Sequence, residues 1–263
     1  MKKVLFLTTA CSMALAALLV GMAPGAIWAG GDDDDDEEIP FSVANIFFEL
    51  NDTDGDLGIH ALIDGDPWKS LEIEIPGERE NLRISLRGGL RRQGLTELFF
   101  ESAEPTFDEL DPEDFFDRFP EGEYGIEGTT IEGEEMESTA IVTHLLPAPA
   151  GNLRVNGSLV SEDCDEDPGP SVSGPFVVTW DPVPLSHPEL GRTGEPVVVT
   201  MYQLVVEREE PTLLKFTVDL PPDVTEVTLP GGFAESGEEF KIEVLVREES
   251  GNQTAVESCF RVD

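Results

Sequence analysis

The chain has 263 residues, with 16 Lys and Arg against 55 Asp and Glu, a formal net charge of −39 at pH 7. So acidic a surface repels nucleic acid and anionic membranes, and it suits a solvated protein in salty surroundings, where cations screen self-repulsion over about 10 Å or less. The sequence contains no HExxH, GxSxG, P-loop, GxGxxG or paired CxxC, so its motifs do not point to catalysis.

The opening segment, "MKKVLFLTTACSMALAALLVGMAPGAIWAGG", sets Lys2 and Lys3 ahead of an apolar run and small residues around Ala29. This is the layout of a secretory signal peptide cleaved after Ala29. Removal of residues 1–29 is expected to leave a secreted or periplasmic protein, two positive charges poorer and not inserted in a membrane. The apolar run at residues 4–23 is long enough for an uncleaved membrane anchor, which is the alternative. Thr8 stands where a bacterial lipoprotein signal ending at Cys11 wants Leu, which argues against lipid attachment. Residues 30–40, "GGDDDDDEEIP", hold too little apolar surface to pack and are expected to form an acidic disordered leader.

Apolar and aromatic residues begin at Phe41. Residues 50–70, "LNDTDGDLGIHALIDGDPWKS", carry Asp52, Asp54, Asp56, Asp64 and Asp66. The one-three-five spacing of Asp52, Asp54 and Asp56 lets alternate carboxylates converge on a hard cation, so these five aspartates are the candidate ligands of a weak, extracellular-class Ca2+ site. The rest of an EF-hand is missing, because the sixth position from Asp52 is Leu57 where Gly is needed and the twelfth is Ile63 where Glu is needed. The ordinary reading makes Asp54-Gly55 and Asp64-Gly65 two turns flanking the strand "GIHALID", chosen for their tolerance of left-handed backbone angles. His60 then lies opposite Ile59, Ala61 and Ile63 as a partly exposed structural histidine. A metal or acid/base site built from His60 and an aspartate is the sharper alternative.

Further along, "SLEIEI" and "LRISLR" alternate with period two, and the turn "PGEREN" joins them as a hairpin. Of the basic cluster Arg83, Arg87, Arg91 and Arg92, the first two can face Glu72 and Glu74 across it, so ion pairing is preferred to a polyanion site. One helix is expected in "DPEDFFDRFP": Asp111 caps it, Pro112 opens it, Glu113 and Asp114 favour its positive end, and Pro120 stops it. Phe115, Phe116 and Phe119 share one face, as core or as an exposed docking ridge. With the closing β region, residues 41–147 are read as an immunoglobulin-like β-sandwich carrying a short helical insertion.

"PAPAG", residues 147–151, is a short stiff linker. Beyond it the chain shows "NLRV", then "VVTWDPV" with Trp180, "YQLVV" with Tyr202, and "GEEFKIEVLVREESGNQT". In that order residues 148–263 resemble a fibronectin type III domain. The resemblance implies a second β-sandwich whose usual role is spacing, adhesion or ligand presentation, with no chemistry of its own. Phe240 departs from it, standing where the family often has a tyrosine whose hydroxyl ties down a corner. The loops "SEDCDEDPGPSVSG" and "PLSHPELGRTGEP" are also long.

After signal cleavage only Cys164 and Cys259 remain, and in an oxidising compartment they can form one disulfide closing about 95 residues, worth about 4 to 5 kcal/mol by the chain-entropy model. Two unpaired thiols are the alternative. Glu162, Asp163, Asp165, Glu166 and Asp167 beside Cys164 are read as a solvated loop with a weaker claim to a cation. His144 and His187 have no partner nearby in sequence. The expectation is therefore an all-β protein of two sandwiches. Its expected role is a non-catalytic binding, adhesion or structural module with a protein or glycan partner and no firm cofactor beyond Ca2+. A secreted hydrolase or a membrane-anchored accessory or sensory subunit is the alternative.

Overall fold

The computed structural model describes residues 38–77, 82–161, 164, 169–208, 212–233 and 238–263. The expected signal peptide, residues 30–37 of the leader, and Glu162, Asp163, Asp165, Glu166 and Asp167 lie outside them. Among the described residues no helix is long and apolar enough to cross a membrane.

The N-terminal half runs β1 (Val43–Asn51), β2 (Asp56–Glu74), β3 (Leu82–Ser85), α1 (Gly88–Gln93), β4 (Leu95–Glu101), α2 (Pro112–Arg118), β5 (Gly122–Thr130) and β6 (Glu135–Val142). The β1–β2 hairpin turns where the sequence suggests. The Asn51 side-chain oxygen accepts from the Thr53 and Asp54 N–H groups, and Gly55, at φ +65°, closes the turn with its N–H on the Asn51 carbonyl. The second expected turn does not form. Asp64-Gly65 lies inside β2, a single strand of 19 residues that pairs first with β1 and β4 and then with β3 and β5.

The ladder slips between Asp64 and Trp68 on the β4 side and between Trp68 and Ser70 on the β5 side, so the strand turns a corner there instead of reversing. Pro67, with no N–H to donate, marks the irregular stretch. Gly65 is needed for closeness: a Cβ there would meet Met136 Cε at 2.9 Å and Phe41 Cδ1 at 3.0 Å. The bent sheet wraps a core that includes Phe48, Leu57, Ile63, Trp68, Leu71 and Tyr124.

Helix α2 forms as its sequence suggests, with the Asp111 carboxylate accepting from the Glu113 N–H. Phe115 is buried and packs edge-on against Phe48, while Phe116 and Phe119 lie half-buried on the same core, so the aromatic face is packing and no docking ridge. Helix α1 was not expected. Its segment "GGLRRQ" begins with two glycines and buries no side chain, so it carries no apolar period to read. Arg83 meets Glu72 at 2.7 Å across the β2–β3 ladder, as the alternation implied.

The C-terminal half follows with β7 (Arg154–Val155), β8 (Ser158–Leu159), β9 (Ser171–Val172), β10 (Val177–Thr179), β11 (Val199–Arg208), β12 (Leu214–Leu220), β13 (Glu226–Thr228), β14 (Glu239–Glu248) and β15 (Gln253–Val262). A layer ordered β13-β10-β7-β8 faces a layer ordered β12-β11-β14-β15. Between them lies a core holding Val178, Trp180, Tyr202, Val244 and Phe260, the two-layer arrangement that the fibronectin type III resemblance implies. Tyr202 stands edge-on to Trp180, and its hydroxyl oxygen accepts from the Val183 N–H. Phe240 takes its corner by packing, stacked on Phe260 at 5.5 Å.

The buried members of the hydrophobic clusters divide near Pro147, one set from residues 41–146 and the other from 150–262, though Leu190 of the C-terminal half packs on the first. The backbone does not divide there. β1 pairs in parallel with β15 through Glu49–Gln253, Leu50–Thr254 and Asn51–Ala255, making one sheet across both cores. Buried Asn252 locks this seam: its side-chain oxygen accepts from the Phe48 N–H at 2.8 Å, and its amide donates to the carbonyls of Thr143 and Leu145. Thr254 adds a hydroxyl bond to the Pro147 carbonyl. The Ala148 N–H donates to the Leu185 carbonyl, so residues 147–148 of the linker are hydrogen-bonded into the structure.

Candidate functional site

Because side chains alternate along a strand, Asp56, Gly58 and His60 share the face of β2 opposite core-facing Leu57, Ile59 and Ala61. On β1, Glu49 stands opposite Gly58, and on β15 Gln253 stands opposite Glu49. Glu104, just beyond β4, lies down over Gly58. A Cβ at residue 58 would come within 2.7 Å of both Glu104 Cγ and Oε1, so glycine is what lets this carboxylate reach the histidine.

His60 is 1% exposed, set between the rings of Phe47 and Phe99. The sequence suggested a partly exposed residue; Phe47, Phe99 and Glu104, none of them adjacent in the chain, bury it. Its Nε2–H donates to Glu104 Oε1 at 2.8 Å. Its Nδ1 is buried without a hydrogen-bond partner and faces Glu49 Oε2 at 3.7 Å. Glu49 Oε2 also accepts from the Gln253 amide, whose oxygen in turn accepts from Arg247 Nε and Nη2 at 2.9 and 2.7 Å. One donor atom from each of Glu49, His60 and Glu104 lies within 4.8 Å of the others.

Crowded acids and burial set the electrostatics. Burial pushes the Glu49 carboxyl above its ordinary range, with His60 and Gln253 pulling the other way. Asp56 is pushed up to about 7 by burial and then by Glu104, Asp54, Glu257 and Glu49. Burial works against a charged His60, but the Glu104 hydrogen bond and the nearby carboxylates outweigh it and hold the imidazole above its usual value. Two strands away, Glu243 is pushed up to about 7 by burial, with Glu257 and Glu49 adding to the shift. The site prefers a cation or protons to bare carboxylates.

The five aspartates singled out in the sequence do not converge. Asp52 holds buried His187: the Glu189 and Leu190 N–H groups donate to His187 Nδ1, which leaves Nε2–H to donate to Asp52 Oδ1 at 2.8 Å. Asp54 accepts from the Asn51 amide. Asp56 joins the His60 cluster, while Asp64 lies eight strand residues further, about 26 Å along β2 at about 3.3 Å per residue, with Asp66 beyond it. The one-three-five spacing gave no warning that His187, 135 residues away, would claim the first aspartate. His144 is also placed from afar, its ring tilted against Phe116 and its Nε2–H donating to the Phe119 carbonyl. Cys164 and Cys259 form the disulfide, with Cα atoms 5.8 Å apart.

No family model and no curated protein matches the chain. Among solved structures it is similar to the FN1–FN3 domains of chicken CNTN1, at 12% identity and TM-score 0.33, covering 86% of this chain and 69% of that one. It is also similar to a two-domain fibronectin type III segment of chicken tenascin, at 9% identity and TM-score 0.29, covering 84% and 98%. A third similarity is to Tp47, the 47-kilodalton lipoprotein of Treponema pallidum, at 10% identity and TM-score 0.35, covering 88% and 52%. At these scores the similarities carry no inference about ligands, and the description of the chain as an all-β protein with a fibronectin type III-like half rests on its own strand order.

Proposed function

We propose that the chain is an exported, non-catalytic binding or adhesion module of bacterial origin, whose two sandwich modules, residues 41–147 and 148–263, act as one stiff body toward a protein or glycan partner. The observation that carries the single-body part of this reading is the β1–β15 pairing, which runs one sheet through both cores and across the linker; export is read from the sequence of residues 1–29. A hydrolytic role for the histidine-carboxylate cluster fits poorly, since a ring 1% exposed and flanked by Phe47 and Phe99 leaves no room beside it for a substrate the size of a peptide or sugar. Cation dependence attaches to Asp56 and the carboxylates beside it, because Asp52 and Asp54 already hold His187 and Asn51.

Mass spectrometry of the exported protein tests the first part: a mature N-terminus at Gly30 supports export, and an intact N-terminus retained in the membrane fraction counts against it. For the second part, the full chain is assayed for saturable binding to panels of extracellular proteins and glycans, alongside ester, glycoside and peptide hydrolysis. Saturable binding without turnover supports the reading. Turnover that survives purification to homogeneity sinks it.

A further inference from the structure

We propose that His60 Nδ1 and Glu49 are ligands of a divalent transition-metal ion, Zn2+ by the chemistry of the donors, with Glu104 orienting the ring and water completing the shell. The inference stands whether or not the chain is an adhesion module.

His60 is hydrogen-bonded at only one of its two ring nitrogens. Glu104 accepts at 2.8 Å from His60 Nε2–H, which leaves a lone pair on Nδ1 in the neutral ring. That lone pair is buried, has no hydrogen-bond partner, and points at a carboxylate oxygen of Glu49 3.7 Å away. A neutral ring sets two acceptors face to face out of water, and a protonated ring is still too far away for an N–H···O bond, which falls near 2.7 to about 3.2 Å, so neither form satisfies Nδ1 by hydrogen bonding. The spacing is close to the distance between two ligands on one tetrahedral ion, about 3.3 Å for bonds of about 2.0 to 2.1 Å.

Around this pair stands the supporting structure that metal ligands require. A ligating histidine characteristically donates its other ring N–H to a carboxylate, which is what Glu104 receives. A ligating carboxylate is itself held by a hydrogen-bond donor, here the Gln253 amide, which Arg247 fixes in turn. Gly58 provides the room for Glu104 to take its part. The imidazole selects against Ca2+ and Mg2+, which take oxygen donors, and favours Zn2+ and its neighbours. Glu49 lies on β1 and its supporting Gln253 on β15, so the ion would sit on the seam that joins the two cores.

Tag-free full-length protein, stripped with chelator, is titrated calorimetrically with Zn2+ and separately with Ca2+, as wild type and as H60Q, E49Q and D64N. The expected result is one Zn2+ site per chain that H60Q and E49Q each weaken at least about tenfold, that D64N leaves unchanged, and that excess Ca2+ does not displace. Zn2+ affinity equal in H60Q and wild type would assign the binding to surface carboxylates and overturn the proposal. Absence of saturable binding would also overturn it, leaving His60 as an imidazolium between two glutamates. Should H60Q fail to fold, X-ray absorption of the wild-type Zn2+ complex decides: an imidazole nitrogen in the shell supports the site, and an oxygen-only shell refutes it.

Discussion

Gly58 shows how much a single residue without a side chain controls at this site. In Gly58→Ala the added methyl occupies the place of Glu104, so the carboxylate swings away and buried His60 Nε2 loses its acceptor. Leaving a buried polar group unpaired costs about 1 to 3 kcal/mol, and a fall of that size in urea-unfolding stability is expected. Asn252→Ala is expected to cost at least about 2 kcal/mol by the same measurement, since it strands the Phe48 N–H and two carbonyls at the seam. Glu243 gives the pH dependence. Its carboxyl, ordinarily near 4.5, is pushed up to about 7 in the folded chain by burial and by Glu257 and Glu49, with Glu207 adding and Lys215 opposing. A folded-state value above the unfolded one means the folded chain binds the proton more tightly. This contribution is therefore full below about 4.5 and is lost as pH rises through about 7. Thermal unfolding from pH 5 to about pH 8 is expected to show a falling midpoint, with a shallower fall in Glu243→Gln; an equal slope in the variant would refute the assignment.

At the scale of elements, the sequence was legible where local chemistry and burial agree. The capping aspartate and opening proline of α2, the alternation of the β2–β3 hairpin and the Asn51–Gly55 turn all formed as their residues suggest. It was misleading at Asp64-Gly65, where the same two residue types that make a turn instead bend a continuous strand. The difference lies in Phe41 and Met136 crowding Gly65, which local pattern does not reveal. The candidate site was mostly illegible for a related reason. Glu49, His60, Glu104 and Gln253 come together only through strand pairing and a return loop, and no spacing rule relates them. Phe115→Ala tests the packing of α2: a truncated core phenylalanine costs about 3 to 5 kcal/mol, whereas an exposed ridge would cost little.

Among the described residues, one sheet runs through both cores, a second, four-stranded sheet closes the C-terminal core, and the Cys164–Cys259 disulfide ties that half. Cys164 and Cys259 are 95 residues apart, so reduction is expected to remove about 4 to 5 kcal/mol by the loop-entropy model, read as the difference between chemical unfolding with and without reductant. The disulfide lies within the C-terminal half and does not cross the seam. Coupling between the cores therefore runs through the β1–β15 ladder and the Asn252 clamp, joined by the Asp52–His187 hydrogen bond and the Glu121–Arg192 ion pair. Trp68 lies in one core and Trp180 in the other, which gives each half its own reporter. The most direct test is equilibrium urea unfolding followed by fluorescence in two single-tryptophan variants, W28F/W180F reporting on Trp68 and W28F/W68F reporting on Trp180, with far-ultraviolet dichroism alongside. A single body predicts that both fluorescence curves, corrected for each variant's own stability, coincide with its dichroism in one transition. If Trp68 and Trp180 report separate transitions with a stable interval between them, the halves are independent modules and the stiff two-core reading is wrong.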